Sequence, residues 1–367
     1  MQTMYMINNR FYSNEDVSLS TMQRFGLKSF SEMPLKFYKY FPNAKSQSTG
    51  LNHSMEALEN NTVYLQSPVS FDDPYDSTIT LDKEEFSRRI IYHYALQCGF
   101  IYQEEWEYNR IIFEFSSFLH DRMLAGERLT DQFMKNSPSD EKLRIISEHF
   151  GLALENALIK YQDRQDAWQR AFTEALDMEY NHVMEFLVAK FRISCFTTSP
   201  FSMLMWSHYA NSHKGFCIEY TVPRDLTTSS QIVNNIFPVI YSQVRVSVLE
   251  QCVDFSLTPR LSDSALWEIY KNGLLTKSMD WSYQNEWRLI SYDSLLSDSG
   301  EYKCRFFPIS KIYLGNKMDR ENRLRIIDIC KAKNIPYSGV TIENNRYAMN
   351  ECPILCEACP KLLFSAV

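Results

Sequence analysis

The sequence predicts an α+β fold, in which a mixed, mainly antiparallel sheet is interrupted by a large helical insertion. Three regions of differing hydrophobic period carry that expectation. Alternating, aromatic-rich segments run from Lys36 to about Thr80, apolar residues at helical spacing fill Asp82 to about Lys190, and strand-like segments return from Phe191. The organisation that follows is an N-terminal extension over 1–33, one discontinuous α+β domain over 34–81 and 191–347, the insertion at 82–190, and a tail at 348–367.

Each element has its own signal. Lys36-Phe-Tyr-Lys-Tyr-Phe41 and Thr62-Val-Tyr-Leu-Gln66 read as strands, with a short helix at Ser54–Asn60 between them. Pro74 punctuates a loop, Phe71-Asp-Asp-Pro-Tyr-Asp76. In the insertion, Trp106, Ile111, Phe115, Leu119 and Met123 keep to one side of a helix. Leu143, Ile146, Phe150, Leu154 and Leu158 do the same, as do Trp168, Phe172, Leu176, Val183 and Leu187. Pro138 and Ser139-Asp140 supply a break and an N-cap ahead of Leu143. Further strands are expected at Arg192–Thr197, Gly215–Tyr220, Glu286–Ser291, Lys311–Leu314 and Tyr337–Ile342, with a helix at Arg320–Lys333 and a surface loop near Thr227–Ser230.

Composition narrows the function. The chain has 367 residues, 45% of them hydrophobic, and only 10 glycines, where ordinary usage would give roughly 26. The nearest two glycines are Gly300 and Gly315. That spacing excludes the GxGxxG, GxxxxGK and GxSxG loops, which need clustered glycines. A formal charge of −7 without a long basic stripe makes duplex DNA an unfavoured partner. Met1–Ser20 has no apolar core of a signal peptide, and no stretch is apolar enough to span a membrane. Nine cysteines, mostly scattered singly, fit reduced thiols in a cytoplasm.

Four clusters put ionisable groups beside aromatics. Phe71–Asp76 carries three carboxylates around a proline turn, and cation binding competes there with capping of nearby backbone N–H groups. Trp206-Ser-His-Tyr-Ala-Asn-Ser-His-Lys-Gly215, read as a helix, gathers Trp206, Tyr209 or Ala210, and His213 on one face, with Gly215 ending it in a left-handed conformation. A pocket wall and an aromatic core are both open for it. Glu286 and Arg288, two apart on a strand, share a face as a structural ion pair or as a catalytic carboxylate with its orienting partner. Cys352, Cys356 and Cys359 have the CxxxCxxC spacing of a cluster motif, but three thiolates lack a fourth ligand for structural zinc, and free tail cysteines are the simpler reading.

Tyr38-Lys39-Tyr40, Phe71–Asp76, Trp206-x-x-Tyr209-Ala-x-x-His213-x-Gly215-Phe-x-Ile, Glu286-Trp-Arg288 and Ile312-Tyr-Leu-Gly315 occur in a characteristic order. In these motifs the chain resembles the bacterial domain-of-unknown-function family twenty-nine seventy-one, from about Lys36 to Tyr347. It departs from that family's usual Asn-Asp-Pro-Phe by carrying Asp72 and Tyr75. The layout of an aromatic first strand, a Ser/Thr-rich strand (Cys195–Ser199) and a late strand bearing a glutamate is also similar to that of ADP-ribosyltransferases. That second resemblance implies a split sheet and NAD as substrate, for ADP-ribosyl transfer or NAD glycohydrolysis of the kind toxin and phage-defence effectors use. Lys36, Tyr38 and Lys39 stand where those enzymes carry Arg or His.

The expected site therefore holds Glu286 as catalytic carboxylate, Arg288 as its partner and His213 as proton shuttle or ribose contact. Tyr38, Lys39, Asp73, Asp76, Trp206 and Tyr209 are expected to bind a small-molecule or nucleotide ligand. A non-catalytic sensing module, with Glu286, Arg288 and Asp73 as mutual structural partners and the insertion as a protein-docking surface, stands against this. So does a metal-dependent hydrolase or nuclease using Asp72, Asp73, Asp76 and Glu286, which requires those carboxylates to converge.

Overall fold

A computed structural model describes residues 4–7, 10–13, 33–44, 52–162, 164–223, 230–258, 262–292 and 302–352. Cys356, Cys359 and most of the Thr227–Ser230 run lie outside the described residues. The fold is α+β. The chain forms two compact units, one from residues 1–77, 190–244 and 275–367, the other from 78–189 and 245–274.

The first unit is built on strands β1 (Met4–Ile7), β2 (Arg10–Ser13), β3 (Lys36–Phe41), β4 (Thr62–Tyr64), β5 (Phe191–Thr197), β6 (Phe216–Thr221) and β7 (Ile236–Pro238). They are followed by β8 (Ile240–Ser242), β9 (Thr276–Ser278), β10 (Glu286–Tyr292), β11 (Lys303–Arg305), β12 (Ile309–Leu314), β13 (Tyr337–Ile342) and β14 (Met349–Cys352). Eight of them form a sheet in the order β14-β13-β12-β6-β3-β5-β10-β7. Only β12 and β13 run parallel in it, joined by the helix Arg320–Ala332, as a parallel connection requires. A four-stranded sheet, β2-β1-β8-β9, and the ribbon β11-β4 complete the unit.

Alternation along β3 sorts its side chains to two cores. Phe37 packs against Phe196, Trp287, Phe306 and Phe307, with ring centroids 5.5–6.3 Å away. Tyr38 and Tyr40 join a second cluster with Trp206, Cys217 and Tyr313. One departure from regular pairing matters for the site. β3 pairs with β6 over six residues, but with β5 at a single position, Tyr38 opposite Thr197.

The second unit holds the helices Lys83–Cys98, Tyr108–Leu124, Leu129–Phe133, Glu141–Tyr161, Ala167–Lys190, Leu249–Leu257 and Asp263–Ile269. The last two stand in sequence among the late strands, yet their contacts are with the helical unit. The helical period finds its core: Tyr94 lies 4.5 Å from Phe133 and 4.9 Å from Phe150 between ring centroids, and Phe115 lies 5.5 Å from Phe172. Asp140 caps its helix as its sequence suggests, accepting from the amides of Lys142 and Leu143. Trp106 precedes its helix, whose first residue is Tyr108, and packs on the Arg110 guanidinium.

Candidate functional site

A pocket of about 610 Å³ opens where β3 and β5 part. Tyr38, Lys39 and Tyr40 line it from β3, and residues 193–197 line it from β5. Lys39 reaches across the gap, donating to the Ser194 hydroxyl at 3.1 Å and the Cys195 carbonyl at 2.9 Å. The side chain is largely buried against Phe196, whose ring centroid is 5.2 Å from Nζ. Burial pushes its pKa below that of an ordinary lysine, against weaker attraction from Cys195 and Glu286. The remaining walls are aromatic and acidic: Tyr64, Phe71, Tyr209 and Trp281, then Asp72, Asp73, Asp76 and Glu286.

The floor is an alternating ring of charge. Glu286 Oε1 accepts from Arg288 Nε at 2.7 Å, and Oε2 from Lys277 Nζ at 2.9 Å. Asp76 repeats the pattern, with Oδ1 2.6 Å from Arg288 Nη2 and Oδ2 2.8 Å from Lys277 Nζ. Two carboxylates and two cations cancel, as four buried charges must if their loss of hydration is to be offset. Arg288 Nη1 also donates to the Ser77 hydroxyl at 2.7 Å. Burial alone would raise the Glu286 pKa, but Arg288 and Lys277 outweigh it and hold the carboxyl well below the usual range. Burial would likewise lower Lys277, and the Glu286 and Asp76 carboxylates reverse that shift.

Local backbone chemistry fixes the ring. Ser278 caps the turn Met279–Gln284, and Asn285, in the left-handed region at φ 43°, starts β10 so that Glu286 and Arg288 face inward together. The Glu286 amide donates to the Tyr241 hydroxyl at 2.9 Å. Gln284 links ring to wall. Its oxygen accepts from Lys277 at 2.8 Å and its amide donates to the Tyr209 hydroxyl at 2.8 Å. Burial pushes the Tyr209 phenol up to about 12.

The residues expected to form one site therefore divide. Tyr38, Lys39, Asp73, Asp76, Tyr209 and Glu286 line the pocket. Arg288, fully buried, stands behind it in the ring. Asp76, not Asp73, is the acid that partners Arg288; Asp73 Oδ1 accepts from the Tyr75 amide at 2.9 Å and holds the proline turn. Trp206 and His213 are not among the lining residues. The expected helical face through His213 does not exist, because the helix Met203–Tyr209 ends there and Asn211, Ser212 and His213 turn through left-handed conformations.

That turn is a packed corner. His213 lies nearly parallel to the Trp206 ring, 6.3 Å between centroids and 14° between planes. Its Nε2 is 3.2 Å from the Ser207 hydroxyl. Burial, helped by Lys317, pushes its pKa below the ordinary histidine value. Trp206 Nε1 donates to the Pro200 carbonyl at 2.8 Å. Gly215 is not left-handed as expected. It is required because a Cβ there would sit 2.0 Å from the Phe41 carbonyl oxygen, and one on Gly315 would sit 2.1 Å from that of His213. The tryptophan-to-glycine motif and the distant Tyr-Leu-Gly motif are thus two halves of one corner.

Sequence reasoning missed Lys277, Gln284, Ser77 and Tyr241. Lys277 sits in a three-residue strand with no readable alternation, so the only signal was that two buried acids facing one arginine need a second cation. Among the described residues no three His, Cys, Asp or Glu side chains gather as metal ligands, and the oxygens of Asp76 and Glu286 are engaged by Lys277 and Arg288. The four carboxylates of the hydrolase alternative share the lining of one pocket, without gathering there as a set of metal ligands. No helix among the described residues is long and apolar enough to cross a membrane.

No curated protein and no solved structure matches the chain. Residues 205–289, from the corner through the ring to β10, match the model of a family described as Protein of unknown function (DUF2971). The corner and the ring fall within or against that stretch, and over it the chain is similar to the DUF2971 family.

Proposed function

We propose that the sheet unit binds a small planar organic cation, and that NAD, through its nicotinamide riboside end, is a ligand of that kind on which it acts. The observation that carries this reading is the lining: outside the neutral ring of Asp76, Glu286, Lys277 and Arg288, the charged side chains of the wall are Asp72 and Asp73 against Lys39, whose charge burial disfavours. With Tyr64, Phe71, Tyr209 and Trp281 around them, such walls favour a flat, positively charged ring.

The chemistry that fits is N-glycosidic cleavage. Nicotinamide leaves with the bonding pair, positive charge develops on the ribose ring, and water adds to the anomeric carbon while releasing a proton. Glu286, kept ionised by Arg288 and Lys277, is suited to oppose that charge. A carboxylate offers about four acceptor positions, so two cationic partners do not exhaust it. The closed ring favours a second reading, a sensing module that binds without turnover.

Two measurements separate these readings. Calorimetric titration with nicotinamide riboside reads binding, and chromatography of NAD incubations reads nicotinamide release. Binding with release supports the enzyme, binding alone the sensor, and neither ends the reading.

A further inference from the structure

We propose that Lys39 is a carbonyl-reactive amine, and that the pocket between β3 and β5 accepts an aldehyde or ketone which condenses with its Nζ to form an imine. Lys39 differs from the other lysine of the pocket. Lys277 lies between two carboxylates, 2.8 and 2.9 Å away, and stays charged. Among the described residues, no carboxylate lies within ion-pair distance of Lys39 Nζ. Its partners are the Ser194 hydroxyl and the Cys195 carbonyl, two acceptors. Two N–H donors and one lone pair make up a neutral amine. As an ammonium, Lys39 would keep a third N–H for which the described residues offer no acceptor; in the neutral amine that position is the lone pair, the form in which a lysine attacks carbonyl carbon.

The surroundings agree. Lys39 lies on the Phe37 side of β3 with its Nζ over the Phe196 ring, so the ammonium form would lose hydration without an ion-pair partner. Cys195 and Cys304, the thiols nearest in charge terms, are pushed up by burial and remain protonated at neutral pH. Neither competes with the amine as a nucleophile. In the reaction the Nζ lone pair forms a bond to the carbonyl carbon. The carbonyl oxygen then leaves as water carrying both amine hydrogens, and a C=N bond remains; nothing is oxidised or reduced.

The inference does not depend on the cation reading, because it concerns a different group and needs no nicotinamide compound. Its test uses the full-length protein, pyridoxal as the probe aldehyde at neutral pH, and cyanoborohydride to trap the imine as a stable secondary amine mapped by peptide mass spectrometry. Lys39 is expected to be modified at least about tenfold faster than the exposed Lys214 and Lys317, the ratio that a tenfold larger neutral fraction confers. Lys39→Met, with its melting temperature measured alongside, is expected to lose that fast modification. Labelling of Lys214 and Lys317 as fast as Lys39, or labelling of Lys39 only after urea unfolding, overturns the proposal. The wild-type map decides it even if Lys39→Met does not fold.

Discussion

Glu286 is both a wall of the pocket and a quarter of a neutral buried ring, and the second role dominates what its replacement does. Glu286→Gln leaves Arg288 and Lys277 facing Asp76 alone, an uncompensated buried positive charge. Breaking such a set costs about 3–5 kcal/mol, so urea unfolding of this variant should show a loss of that size, and a variant as stable as the parent would show the ring to be idle. Glu286→Gln is for this reason a poor probe of catalysis. Tyr64→Ala, on the half-exposed wall, should keep the melting temperature while weakening ligand binding. Acid should act in two steps. The Glu286 pKa is depressed in the fold, so its contribution is complete above the ordinary 4.5 and is lost as pH falls from there toward the depressed value. His213 is also depressed, and its contribution is complete above 6.5 and lost below it, where the unfolded chain takes up a proton first. His213→Asn, which tolerates the left-handed backbone, should lessen the slope just below pH 6.5, leaving the part that His93, likewise depressed by burial, contributes, and should leave the acid limb unchanged. A slope as steep in His213→Asn as in the parent would assign it elsewhere.

At the scale of elements, what was legible followed from period. β3 and β13 match their sequence signals residue for residue, and β5, β6, β10 and β12 differ from theirs by one or two residues at an end, because an alternating apolar pattern has one way to bury itself in a sheet. The Trp206–Gly215 segment was misread for a reason of the same kind. Its aromatic spacing fits a helix, but backbone hydrogen bonds of the corner, from the His213 amide to the Trp206 carbonyl at 3.1 Å and from the Gly215 amide to the Ala210 carbonyl at 2.8 Å, end the helix early. Gly215→Ala tests that account. With the Phe41 carbonyl oxygen 2.0 Å from the added carbon, β3 and β6 must separate, and the expected destabilisation exceeds about 1 kcal/mol. A neutral Gly215→Ala would show that the corner yields.

For the molecule as a whole, the α+β class and the order of motifs were readable, while the meeting of Asp76, Lys277 and Arg288 was not. Their closure depends on register among three-residue strands such as β8 and β9, paired at Tyr241 and Lys277, and short strands carry too few side chains for alternation to declare a face. The parting of β3 from β5, which makes the pocket, is likewise a matter of sheet geometry rather than of residue type. The central claim is that this aromatic, acidic hollow holds a flat cation. Its most direct test is calorimetric titration of nicotinamide riboside into the parent protein and Tyr64→Ala at low ionic strength. The account predicts one saturable site on the parent, weakened several-fold in a variant that melts at the same temperature. Heats no larger than dilution for the parent, or equal affinity for both proteins, would contradict it.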